Sequence, residues 1–334
     1  MNRLILIDGN AAMHRAYHAI PPMRTAGGAP ANAVYGFASM LIKVFGDLHP
    51  THIAVAFDRE APTFRKKLFE GYQSKRPKMD DDLSSQIDLI HTLVTAFGIP
   101  IYEQDGYEAD DVIGTICRQV GGSKKIDQVI IMTGDRDILQ LVVDEKVMVY
   151  MPTKGLSEGK IYGEKDVLER MGVAPDKIPD FKGLAGDPSD NYPGAPGIGP
   201  KTAINLINEF GSFKGVYRSL RSGGARSRSA GHAASNTFED FSDGVIAKLK
   251  AGEESAKLSY NLATIRTDAP IKFDAQKARI TTLDTPQSRA EIEVLSFPSL
   301  LRRIVGREAI KTVETKSIGP EKNGSNGTDQ QSLF

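Results

Sequence analysis

Four short runs of aliphatic, largely β-branched residues, at 4–7, 53–57, 129–132 and 147–151, constrain the fold more than any other feature of this chain. Runs so short and so continuously apolar suit strands buried on both faces. Amphipathic stretches of helical length accompany them, at about 31–46, 83–97, 109–120 and 137–143. Strands alternating with helices predict an α/β fold with a doubly wound, mainly parallel sheet. From about residue 164 the strand signal fades and helices joined by Gly- and Pro-rich loops take over, most densely at 183–202 (GLAGDPSDNYPGAPGIGPKT). Residues 222–236 are small, polar and basic and read as a loop, and 319–329 read as a flexible linker before the terminal QQSLF. At about 100–200 residues per domain, 334 residues suggest two domains and a tail, divided as 1–175, 176–305 and 306–334.

Composition excludes several classes. With 40% hydrophobic residues the chain is not disordered throughout, and no apolar stretch approaches the length of a membrane span. The single cysteine, Cys117, forms neither an internal disulfide nor a thiolate metal cage, so a reducing cytoplasm is expected. Lys+Arg and Asp+Glu are equal at 42 each, so any electrostatic function comes from segregated charge.

Three of the strand runs are followed by an acid: Asp8, Asp58 and, after Thr133-Gly134, Asp135. In an open parallel sheet the carboxyl ends of the strands share the edge where ligands bind. Glu108, Asp110 and Asp111 stand at a helix start, Asp137 lies just beyond Asp135, and Asp187 and Asp190 open the Gly/Pro-rich segment. Any one of these acids is readily explained as a turn or N-cap residue. Their convergence is not, because so many carboxylates at one edge repel unless cations sit among them. Oxygen donors of this kind select two Mg²⁺ or Mn²⁺ ions, and no His or Cys has the spacing of a zinc site. Paired dications about 4 Å apart serve in-line phosphoryl displacement, so a metal-dependent phosphodiesterase is expected.

At these residues the sequence resembles a known family. LIDGNAAMHRAYHA, VAFDREAPTFRKKLFEGYQSKRPKM, GYEADDVIGTI, TGDRDILQLV and GLAGDPSDNYPGAPGIGPKTA follow in the order of the 5′ nuclease domain of bacterial DNA polymerase I and the flap endonuclease superfamily, over roughly residues 3–305. The resemblance implies a PIN-like nuclease fold followed by a helix-three-turn-helix DNA-binding region. It further implies 5′-3′ exonucleolytic and flap endonucleolytic cleavage of DNA, RNA primers included. Asp8, Glu108, Asp110, Asp111, Asp135, Asp137, Asp187 and Asp190 match the family's metal-site acids, and Asp58 matches an acid after the second strand. No polymerase region follows, so a stand-alone, monomeric nuclease is expected.

Residues 63–78 carry Arg65, Lys66, Lys67, Lys75, Arg76 and Lys78 against Glu70. Such cations hold phosphates without reading sequence, and Tyr72, interleaved with Phe64 and Phe69, is suited to stacking on an unpaired base. The resemblance places here a helical arch over the active site. Its usual Tyr-Lys-x-x-Arg is replaced by Tyr72-Gln73-Ser74-Lys75-Arg76, so Lys75 is expected to compensate for Gln73 beside Arg76 in catalysis. Arg15 and Tyr17 match positions that meet the terminal phosphate or base. Gly197, Gly199, Lys201 and Thr202 form a hairpin feeding a helix, where exposed N–H groups donate to phosphate oxygens. The spacing fails the nucleotide-binding Walker pattern and matches a helix-hairpin-helix that grips duplex backbone, in relatives with a bound K⁺. Gln330, Leu333 and Phe334 resemble the short peptide that docks on a bacterial sliding clamp, tethered by the linker. The alternatives are a catalytically silent junction-binding scaffold and a PIN-type ribonuclease acting on single-stranded RNA.

Overall fold

In the computed structural model, which describes residues 1–123, 125–153, 158–222, 238 and 241–306, the first apolar run becomes the middle of a sheet. Strands β1 (Arg3–Asp8), β2 (His52–Ala56), β3 (Ile101–Tyr102), β4 (Gln128–Met132), β5 (Val147–Pro152) and β6 (Gly159–Tyr162) lie in the order β3-β2-β1-β4-β5-β6. The first five are parallel, with Leu6 opposite Ala54 on one side and Ile131 on the other, and β6 returns antiparallel along β5. Strand order reverses beside β1, and a crevice outside the ends of β1 and β4 follows from that reversal.

Helices α1 (Gly9–Ala19), α2 (Asn32–Leu48), α3 (Phe64–Leu68), α4 (Asp81–Ser84), α5 (Ile87–Ala96), α6 (Ala109–Gly121) and α7 (Glu164–Met171) accompany the sheet. A helical region follows, comprising α8 (Ile178–Ala185), α9 (Pro200–Phe210), α10 (Phe213–Arg221), α11 (Asp243–Ala251) and α12 (Glu253–Ala263), and then α13 (Pro286–Val294). Alternation along β1 divides the core. Leu4 and Leu6 pack with α6 and the helical region, whereas Ile5 and Ile7 pack with α1, α2, α5 and α13. Each such fully buried side chain contributes about 1.5–3 kcal/mol. Residues grouped by sequence with the helical region, Ile280, Ile292, Phe297 and Leu300, therefore lie on the opposite face of the sheet. Backbone hydrogen bonds from Ile53 to Ala278 and from Ile280 to Thr51 fix that return. No helix among the described residues is long and apolar enough to cross a membrane.

Two helices depart from expectation. The stretch at 83–97 breaks at Gln86, whose fully buried amide accepts the N–H groups of Ala33 and Val34 and so caps α2. The stretch at 137–143 is only a 3₁₀ turn, Asp137–Leu141, whose first N–H, that of Asp137, is accepted by Asp135.

Candidate active site

Asp8 ends β1 and caps α1. One of its oxygens accepts the Ala11 N–H at 2.9 Å, and the other accepts the Thr133 hydroxyl at 2.6 Å. A strand that turns directly into a helix needs such an acceptor, since the first N–H groups of the helix have no partner of their own. Thr133 also accepts the Asp135 N–H at 2.9 Å, and Asp135 accepts the Asp137 N–H at 2.8 Å. This relay ties the acids after β4 to the acid at the end of β1.

Asp58 plays the corresponding part for α6, accepting the Ala109 N–H at 2.7 Å. Glu108 stands at the start of that helix, where its two oxygens accept hydroxyls from Thr63 at 3.0 Å and Tyr72 at 3.2 Å. Asp110 follows in the first turn.

A cavity of about 460 Å³ opens over these strand ends, lined by Asp8, Asp58, Glu108, Asp110, Asp135, Asp137 and Asp190, with Arg76 beside them. Asp187 adjoins it: single carboxylate oxygens of Asp137, Asp187 and Asp190 lie within 4.8 Å of one another. Burial above all pushes Asp8 up to about 7, Glu108 up to about 7 and Asp137 up to about 6, with neighbouring acids adding to each shift. Asp110 is raised by burial and by Asp135 and Asp8. Two internal cations relieve part of the repulsion. Lys182 is ion-paired with Asp137 and, at 2.5 Å, with Asp187; Arg76 meets Asp190 at 2.6 Å. Burial opposes it, but Lys182 and Ser189 hold Asp187 below the usual carboxylate range. An all-oxygen set with protons to release fits a hard dication such as Mg²⁺ or Mn²⁺.

The structure corrects several expectations. Asp111, grouped with the metal acids, is fully buried outside the cavity lining. It accepts the Arg65 guanidinium at 2.7 and 2.9 Å and the N–H groups of Glu108 and Arg266, which leaves no free oxygen for a metal. Arg65, expected to hold a phosphate, is 3% exposed because that pairing encloses it. Tyr72, expected to stack on a base, is 5% exposed; it stacks on Tyr192 and sets its hydroxyl within 3.2 Å of both Glu108 and Asp190. Lys75 lines a separate hollow of about 440 Å³ with Phe69, Asp187 and Tyr192, while Gln73 and Arg76 face the acids. Lys75 thus does not join Gln73 and Arg76 in lining the acid cavity, and Gln73 adopts a left-handed φ of 54° and donates its N–H to the Asp190 carbonyl. Arg15 and Tyr17 lie half-buried on α1, which presents Asn10 and His14 to the cavity instead.

The hairpin lies outside the acid cavity. Gly197 has φ of 82°, a value that favours glycine, and Gly199 is the N-cap of α9 without any side-chain cap. Pro200 opens the helix, Lys201 is exposed and Thr202 half-buried. Gln330, Leu333, Phe334 and most of the 222–236 loop lie outside the described residues. Sequence reasoning missed Lys182, which sits in an ordinary amphipathic stretch with no signal of its own. It also missed Thr133, whose one hint is its place two residues before Asp135.

Residues 3–172 match the model of the 5′-3′ exonuclease N-terminal resolvase-like domain, and residues 173–286 match the model of the 5′-3′ exonuclease C-terminal SAM fold. A 5′-3′ exonuclease of Aquifex aeolicus is 34% identical over 304 residues, covering 91% of this chain and 96% of that protein. DNA polymerase I of Bacillus subtilis is 36% identical over 316 residues, covering 95% of this chain and 34% of that protein. The chain thus spans about a third of the length of the polymerase relatives it matches. Solved structures share the fold. The flap endonuclease of bacteriophage T5, in a pseudo-enzyme–product complex with DNA and metal ions, has a TM-score of 0.60 at 18% identity, covering 94% of this chain and all of that one. The catalytic core of Rad2 in complex with a DNA substrate has a TM-score of 0.57 at 16% identity, covering 91% of this chain and 92% of that one.

Proposed function

The chain belongs to the 5′-3′ exonuclease family, and on that premise we propose that it is a metal-dependent phosphodiesterase that trims 5′ ends and cuts 5′ flaps. Its substrates are nicked or branched DNA and RNA primers, met by a cytoplasmic monomer. The observation that carries this reading is the convergence of seven carboxylates on one cavity at the strand ends. Asp8, Glu108, Asp110 and Asp135 would hold one Mg²⁺ or Mn²⁺ and Asp137, Asp187 and Asp190 a second; such ions activate water at neutral pH and neutralise a leaving oxygen.

The chain's own residues do the rest. Arg76 exchanges Asp190 for two oxygens of a substrate phosphate and aligns it, a bidentate contact suited to guanidinium. Tyr72 holds Glu108 and Asp190 in register. Gly197, Gly199, Lys201 and Thr202 grip duplex backbone, and their hairpin would also hold a K⁺ that adds positive charge there, which positions DNA without reading its sequence. The terminal Gln330, Leu333 and Phe334 dock on a sliding clamp. Deleting the tail is expected to leave nuclease activity intact and abolish retention on clamp-coated beads; equal retention of both forms contradicts the docking.

A labelled 5′-flap duplex incubated with Mg²⁺ or with chelator tests the reading. Cleavage near the flap base in Mg²⁺ alone, with plain single-stranded RNA left uncut, is expected. Binding without cleavage would support the alternative of a silent junction scaffold, which Gln73 favours by standing where a cation is expected.

A further inference from the structure

Arg65 is almost wholly enclosed at the edge of the cavity, with its donors turned to protein acceptors. Its Nε donates to the Leu262 carbonyl at 2.8 Å, and one terminal nitrogen donates to Thr264 at 3.1 Å as well as to Asp111. The other terminal nitrogen donates to Asp111 at 2.7 Å and lies 3.3 Å from Glu108. Asp111 in turn receives the N–H of Glu108 at 3.0 Å and the N–H of Arg266 at 2.7 Å. Three segments distant in sequence therefore meet at one planar fork: α3, the start of α6, and the strap 262–266 at the end of α12. Gln140 holds the same strap, donating to Ala263 and accepting from Ile265, both at 3.0 Å. Leu262, Ala263 and Ile265 form part of the cavity wall.

The geometry points to Arg65 as a positioning residue for the metal acids: it fixes the start of α6, and with it Glu108 and Asp110, against the strap from the helical region. This rests on the proposed metal-dependent reading of the same cavity. Arg65 borders the cavity, but its donors are committed to Asp111, Leu262 and Thr264, so its effect travels through Asp111 and Glu108. Only guanidinium serves, since an ammonium at this place keeps the charge but cannot make the paired contact to Asp111 together with two carbonyl bonds. Groups that orient metal ligands typically change metal affinity by about 10–100-fold when replaced.

The test is Mn²⁺ binding, followed by electron paramagnetic resonance on the full chain, together with flap affinity in chelator. Arg65→Lys is expected to weaken Mn²⁺ binding by about 10–100-fold while leaving flap affinity in chelator unchanged. Asp111→Asn, which loses the paired acceptor but keeps the side chain's shape, is expected to do the same. Unchanged Mn²⁺ affinity in either folded variant overturns the role. So does a loss of flap affinity as large as the loss of Mn²⁺ affinity, the mark of a merely structural residue. Wild-type protein that binds Mn²⁺ yet leaves the flap whole contradicts the nuclease reading instead, and the positioning role is still decided by the Mn²⁺ affinities.

Discussion

Asp8, Glu108 and Asp137 carry one burden: each is buried among other acids, and each holds its proton to a higher pH than a free carboxylate. The unfolded chain releases those protons near pH 4, while the folded chain keeps them to about pH 6–7. Their contribution therefore favours folding below that window and is lost as pH rises through it. A dication takes over from the lost protons and stabilises the folded form by mass action. The rise in Tm on adding Mg²⁺ is thus expected to be larger at about pH 8 than at about pH 5, which scanning calorimetry reads directly. An equal rise at both, or a larger one in acid, contradicts the account. At this scale the sequence showed which acids stand near strand ends. It did not separate Asp110 from Asp111, neighbours of which one faces the cavity and the other is sealed by Arg65. That difference depends on a partner 46 positions away, and no local pattern reports it.

Among the elements, the strands were legible because buried parallel strands read as unbroken apolar runs. The short β3 and the exposed, antiparallel β6 carry no such signal and were missed. Helix α1 was missed as well, although Asp8 caps it, because its buried face, Gly9, Ala12, Met13 and Ala16, is mostly small and gives little apolar signal. The broken helix around Gln86 has the same lesson. A buried amide that serves another helix's first turn overrides the local apolar pattern, and nothing near Gln86 in sequence announces it. The arch segment was legible as basic and aromatic, yet its residues divide by burial: Arg65 and Tyr72 turn inward to the acids, whereas Lys75 turns to a separate hollow.

Over the whole molecule, one core runs from the sheet through α6 into α8, α9, α10 and α12, so the hairpin and the acid cavity are parts of one packed body. That continuity suits a site that must hold duplex and scissile phosphate in fixed register. The return of residues 278–304 to the opposite face closes the other core, which a division of the chain into consecutive blocks does not anticipate. The account stands or falls on whether the acids at the ends of β1 and β4 gather metal. Anomalous diffraction from a crystal soaked in Mn²⁺ decides it: two peaks about 4 Å apart among Asp8, Asp110, Asp135, Asp137 and Asp190 are predicted, and a cavity that remains empty at saturating Mn²⁺ contradicts it.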